Sequence, residues 1–378
     1  MGLSASRTAA ALIDFDSDVG HVIVAESASL RRDERAAILQ QCMPDCSDGP
    51  GTLTYAVCVH ALNLWAHCWY SATRDASAPR GARQRCVVLL LPPSGIDGRA
   101  AVEAAGPSVL AAADAGGAAG ARRALDELLQ AGQSPSAPAQ SLAHDDDALR
   151  ALGADAWTAW EFVVSGAAVL VVKASTPERC SAAVLALADL LAPLPCVAWP
   201  YVSVEADDAE ALLAAERPKR APLPDVAGVA NALFTRSGGR WCARLDLDGG
   251  GRFSSGGRFE CDGRPPARVR ADHAVLRHGP AALREHFHAL TARLLQPLEH
   301  FASAGSLRAP PAASPLCAAR FDRARFLAEL AELQPPPLPT SVVRTTRELV
   351  DLYAALVAGP MFERWWAARR RRAHADAR

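Results

Sequence analysis

Residues 160–201, WEFVVSGAAVLVVKASTPERCSAAVLALADLLAPLPCVAWPY, constrain the fold more than any other stretch, because they read as a strand, a helix and a second strand with marked ends. Residues 167–172 are a continuous apolar run rich in β-branched side chains, the pattern of a strand buried on both faces. Thr176 is a helix-capping residue, Pro177 suits the first helical position, and Glu178 brings negative charge to the first turn, where unpaired amides favour it. Val184, Leu187, Leu190 and Leu191 keep an apolar stripe at helical spacing until Pro193 and Pro195, which cannot continue the helix. Residues 196–204 then read as the second strand. A strand, a crossover helix and another strand predict a parallel or mixed sheet covered by helices, a fold that hosts many functions.

The rest of the chain sets the bounds on size and partners. With 378 residues, half of them hydrophobic, it is long enough for two or three domains with real cores. The formal net charge of -1 gives no overall field to gather nucleic acid or anionic lipid, so a nucleic-acid partner is not expected. Ten cysteines are dispersed through strand-like and helix-like segments with no secretory signal peptide ahead of them, which predicts reduced, buried thiols and a cytoplasmic location. The longest apolar runs, such as 87–91, fall far short of the ~20 residues of a membrane-spanning helix, so no transmembrane segment is expected. The opening MGLSAS matches the myristoylation pattern, with Gly2 as acceptor and Ser6 in place. So short a pattern also arises by chance, and one acyl chain gives only marginal anchoring.

Along the chain, 11–15 and 21–25 are short apolar segments joined by DSDVG, which predicts a hairpin. Residues 31–41 are helical in composition, and 53–59, 62–71 and 84–91 read as strands, with the loop RDASAPRGAR before the last. Helix-forming stretches follow at 98–105 and 121–131. QSPSAPAQ at 133–140 reads as a spacer, and the run of aspartates at 145–147 as solvated, so a domain boundary is set near Ser141. Residues 226–234 are apolar again, and the glycine cluster DLDGGGRFSSGGRFE reads as a hairpin with a flexible tip. The last third is predicted to be helical in four pieces separated by prolines, at 281–302, 319–333, 341–357 and 361–374.

The motifs of common enzymes are missing from the sequence: it contains no Walker A loop, GxSxG elbow, HExxH or CxxC pair. Cys42 and Cys46 in CMPDC have a possible metal spacing, but a single pair favours structural thiols. Asp246 and Asp248 resemble the start of a calcium loop, yet glycines stand at its fifth and twelfth positions, so a turn is expected and no metal or cofactor is assigned. His286 and His288 fall on opposite sides of a predicted helix and cannot share a ligand. Arg80, before Gly81, reads first as an exposed turn residue. Arg369 to Arg372 read as a charged helix end that complements the helix dipole, with contact to anionic lipid or an acidic partner as the functional alternative.

Several of these segments, in order, carry a family resemblance. FDSDVGHVIVAES with ERAAILQQCMPDC, WYSATRDASAPRGARQRCVVLLL, WEFVVSGAAVLVVKASTPERCSAAVLALADLLAPL, GVANALF, REHFHALTARLLQPLEHF and ELVDLYAALVAGPMFERWWAARR resemble successive parts of the DENN family, most of all its sixth group. The resemblance implies a longin-like module at 1–140, a central α/β DENN module at 141–248 and a mostly helical downstream module at 249–378. It implies guanine-nucleotide exchange on a Rab-family small GTPase, in endosomal traffic, with no cofactor and with membrane association only through the partner. The GTPase switch regions would dock between the first two modules, in a groove lined from around Arg80 and Gly81, from the loops near Trp199 and Tyr201, and from Asn231 to Phe234. Two rivals stand beside exchange. In the related folliculin branch the arginine of the same Arg-Gly loop is a finger for GTP hydrolysis, and Arg80 matches it. A scaffold that binds a GTPase without driving exchange is the other.

Overall fold

A computed structural model of the chain describes residues 8–44, 51–59, 62–78, 81–92, 98–132, 141–166, 169–204, 209, 223–231, 233–236, 243–248, 269–309 and 321–376. The fold is mixed α/β, with one antiparallel and one parallel sheet. The predicted hairpin is β1 (Ala9–Asp16) and β2 (Gly20–Glu26), turned by DSDVG, in which Asp16 accepts the amides of Asp18 and Val19 at 2.8 and 3.0 Å. With β3 (Gly51–Val59), β4 (Leu64–Arg74) and β5 (Ala82–Leu91) it makes a five-stranded antiparallel sheet in the order β2-β1-β5-β4-β3.

Alternation along the strands buries both faces of this sheet. Leu12, Val87 and Leu89 face α2 (Arg99–Gly132), while Ile13, Tyr55 and Val88 belong to the larger core on the other side, with Ile38 of α1 (Arg32–Gln41). The two helices expected at 98–105 and 121–131 extend toward each other and meet at Gly117, whose φ of 58° breaks the helical path. Alanine-rich sequence favours that extension, and glycine tolerates the left-handed break. Gly106 lets α2 lie on Trp69, since a Cβ there would come within 2.4 Å of the indole ring.

Beyond the spacer, where the sequence marked no element, α3 (Ser141–Leu152) and α4 (Asp155–Ser165) form a pair of helices that buries Leu149, Leu152, Trp157 and Trp160. Gly166 ends α4 in the left-handed conformation at φ 62°. The second sheet follows as predicted in kind. β6 (Leu170–Lys173), β7 (Ala198–Trp199), β8 (Val226–Val229) and β9 (Ala243–Asp246) are all parallel, in the order β7-β8-β6-β9. The crossover α5 (Pro177–Leu190) starts where expected, with the Thr176 hydroxyl accepting the Arg179 amide at 3.3 Å. β7 is shorter than the predicted 196–204, because Pro200 has no amide to continue the ladder, although the Val202 amide still reaches Gly228 O at 2.9 Å.

After β8 comes the short helix α6 (Leu233–Arg236). The glycine-rich tip expected at 249–260 lies outside the described residues. The helical third is present, as α7 (His273–Arg277), α8 (Pro280–Ala304), α9 (Arg323–Ala331), α10 (Thr346–Ala358) and α11 (Pro360–Asp376). α10 opens on a capping box between Thr345 and Glu348. One buried apolar cluster runs from Ile13 through Trp160 and Leu187 to Trp366, so all three predicted modules share a core. Among the described residues no helix is long and apolar enough to cross a membrane.

Candidate functional site

The two sheets meet along β3, an edge strand whose outer amides find partners on a helix instead of another strand. The Thr54 amide donates to Glu178 Oε1 at 3.1 Å. The Ala56 amide donates to Ser181 Oγ at 2.9 Å, and that hydroxyl donates back to Ala56 O at 3.4 Å. Between them the Tyr55 ring meets Tyr201 edge-on, with centroids 5.6 Å apart. Buried amides without partners cost roughly 1–3 kcal/mol each, so this seam closes the edge and ties β3 to α5.

The seam also defines which loops share one end of the molecule. α5 begins four residues after β6, so its first turn marks the carboxyl edge of the parallel sheet. Glu178, in that turn, bonds to Thr54, and β3 runs from there back to Gly51, opposite Ala72 of β4. β4 and β5 continue past this point to the pair Arg74 and Ala82. The turn that follows Arg74 therefore lies at the end of the antiparallel sheet nearest the start of α5, where Asp75 and Ala78 border the β1–β2 hairpin, and the space outside the carboxyl ends of parallel strands is a favoured binding position in α/β folds.

The positions singled out in the sequence divide between this end and its foundation. Gly81 closes the loop with φ 68°, its carbonyl taking the Asp75 amide at 3.1 Å. Arg80 and Gly2 lie outside the described residues. Trp199 and Phe234 are fully buried and pack with Val171, Val202 and Val229, while Tyr201 is buried against the seam. These three side chains are part of the core. Asn231 is half-buried, and its side-chain oxygen accepts the Leu233 amide at 2.9 Å. Leu233, within the stretch from Asn231 to Phe234 expected to line the groove, is a large apolar side chain 51% exposed.

Charge at the same edge is internally matched. Lys173 Nζ lies 3.2 Å from Asp246 and 3.9 Å from Asp248, and Arg179 reaches Asp248 at 2.9 Å. The Asp248 amide donates to Asp246 Oδ1 at 3.1 Å, the turn expected of DLD. Among the described residues no group of three or more His, Cys, Asp or Glu side chains has the arrangement of a metal site. Cys42 lies buried with Cys68 and Cys86, where burial first of all pushes the Cys68 thiol up, and Cys46 lies outside the described residues. His286 and His288 point apart: the His286 ring lies tilted against Trp157 with centroids 5.5 Å apart, and His288 Nε2 is 2.9 Å from Asp189 O.

At the far side of the parallel sheet, Asp225 ties down the entry to β7. It accepts the Val197 amide at 2.7 Å and pairs with Arg364 of α11, whose Nε donates to Pro195 O at 3.1 Å. The helical third thus anchors the sheet at the entries to β7 and β8. No protein-family model matches the chain, and no curated protein matches it in sequence.

Proposed function

We propose that this chain is a guanine-nucleotide exchange factor for a Rab-family small GTPase, with a longin-like first module, a central DENN module and a helical downstream module. The reading rests on the ordered resemblance of its segments to that family. One geometric observation supports it: Asn231 and the exposed Leu233 follow the carboxyl end of β8, in a sheet whose crossover helix is bonded to the edge of the antiparallel sheet. Exchange needs no nucleophile; it needs a surface that binds the nucleotide-free GTPase more tightly than the loaded one. A rigid platform suits that task, because docking energy then goes into displacing switch contacts from nucleotide and magnesium instead of into ordering the exchange factor. In this reading the protein reaches endosomal membranes through its GTPase.

The test is release of fluorescent GDP from a panel of Rab proteins, with GTP hydrolysis followed in parallel. Accelerated release from one or a few members supports exchange. Accelerated hydrolysis that is lost in Arg80→Ala assigns activation instead, and binding with neither rate changed assigns a scaffold.

A further inference from the structure

The opposite edge of the antiparallel sheet is built differently from the seam. β2 stands outermost, and among the described residues no strand pairs with its outer rim. Natural edge strands are usually guarded by lysine, proline or inward charge. β2 reads GHVIVAE, with no lysine or proline, and its one carboxylate, Glu26, is taken by Arg35 at 2.6 Å. A bulge beside Leu12 is the one irregularity in its pairing with β1. Val24 is 39% exposed and Val19, in the adjoining turn, 76% exposed.

Beside this edge lies a cleft of about 380 Å³. Val22, Val24 and Ala82 give it an apolar wall, and Asp14, Asp16 and Asp75 give it carboxylates. Arg83 is the cationic side chain of the lining, and it is already engaged by Asp14 at 3.1 Å and by Asp114 at 3.3 Å. The Asp75 carboxyl is held below its ordinary range, first by the Ser77 hydroxyl, so it stays charged near neutrality. An incoming strand offers backbone groups to the rim and alternate side chains to the cleft. The lining therefore selects, on the face turned toward it, an apolar residue for the valines and a cation for the carboxylates.

We propose that β2 and its cleft are a docking site for an extended peptide segment of a partner protein, bound by strand addition, with a β-branched and a basic residue two positions apart. Three strands separate β2 from the β3 seam, roughly 19 Å at normal strand spacing, while the cleft borders on Asp75 and Ala78 of the turn after β4.

Fluorescence anisotropy of the full chain with the labelled octapeptide Thr-Val-Thr-Arg-Thr-Val-Thr-Arg tests this. The peptide is expected to bind, its glutamate-for-arginine counterpart is not, and Val24→Lys is expected to weaken binding by about tenfold or more. Methylating every second backbone amide in one register is expected to abolish binding, and in the other register to spare it, because only one set faces the rim. No binding at millimolar peptide, equal binding by Val24→Lys, or indifference to both methylation registers overturns the proposal. A wild-type dimer in sedimentation velocity that Val24→Lys dissolves also overturns it, by assigning the edge to a second copy of the chain.

Discussion

The two edges of one five-stranded sheet have opposite fates. At β3 the outward amides of Thr54 and Ala56 are bonded to Glu178 and Ser181 of a helix that belongs to the next layer, and Tyr55 packs on Tyr201. At β2 the outer rim carries exposed valine beside an acidic cleft. The backbone chemistry of the two strands is the same. What differs is whether a neighbouring element supplies side chains at the right spacing, and that decides whether an edge becomes architecture or surface.

Unfolding measurements on point variants will break or sharpen this contrast. The largest loss is expected for Tyr201→Ala, which empties a fully buried aromatic site at the seam, at about 3–5 kcal/mol. Ser181→Ala removes only the hydroxyl and leaves the Ala56 amide without its acceptor, and is expected to cost about 1–3 kcal/mol in denaturant melts. Val24→Lys, at the open edge, is expected to change stability by no more than about 0.5 kcal/mol. Equal losses for Ser181→Ala and Val24→Lys would erase the distinction between closed and open edges.

The two sides of the sheet also differ in how they titrate. At the seam, burial first of all, and then the neighbouring Cys86, push the Tyr55 hydroxyl well above its ordinary value. Its neutral form is the one that folds. That contribution is complete below the unfolded value near ~10 and is lost as pH rises toward the folded one, so Tyr55→Phe should flatten the alkaline limb of a stability profile. On the α2 face, beside the open cleft, the Arg85 hydrogen bond first of all holds the Asp114 carboxyl below its ordinary value. That contribution is complete above the unfolded value near ~3.9 and is lost as pH falls through the folded one. Asp114→Asn should flatten the acid limb and leave the alkaline one intact.

Much of the fold was legible where local chemistry marks it. DSDVG announced the β1–β2 hairpin, and Thr176, Pro177 and Glu178 announced the start of α5. The pair α3 and α4 was not legible, because Leu149 with Leu152 and Trp157 with Trp160 fall as two separate i,i+3 pairs, the first next to the run of aspartates at 145–147. The seam was illegible in principle. Glu178 and Ser181 look like a cap residue and a surface serine, and their partners lie 124 and 125 residues away in sequence. Trp199, Tyr201 and Phe234 are buried in the core, since aromatic residues at strand ends look alike in sequence whether they face a partner or a core, while Leu233 in the same Asn231 to Phe234 stretch is exposed.

The most direct test of the account compares GDP release from a responsive Rab protein by the wild-type chain, Leu233→Asp and Val24→Lys. Leu233→Asp puts charge at the rim of the proposed GTPase end and is expected to slow release by about tenfold or more, whereas Val24→Lys, on the far edge, is expected to leave the rate unchanged. Full exchange activity in Leu233→Asp, or no acceleration of release by the wild-type chain from any Rab in the panel, would contradict it.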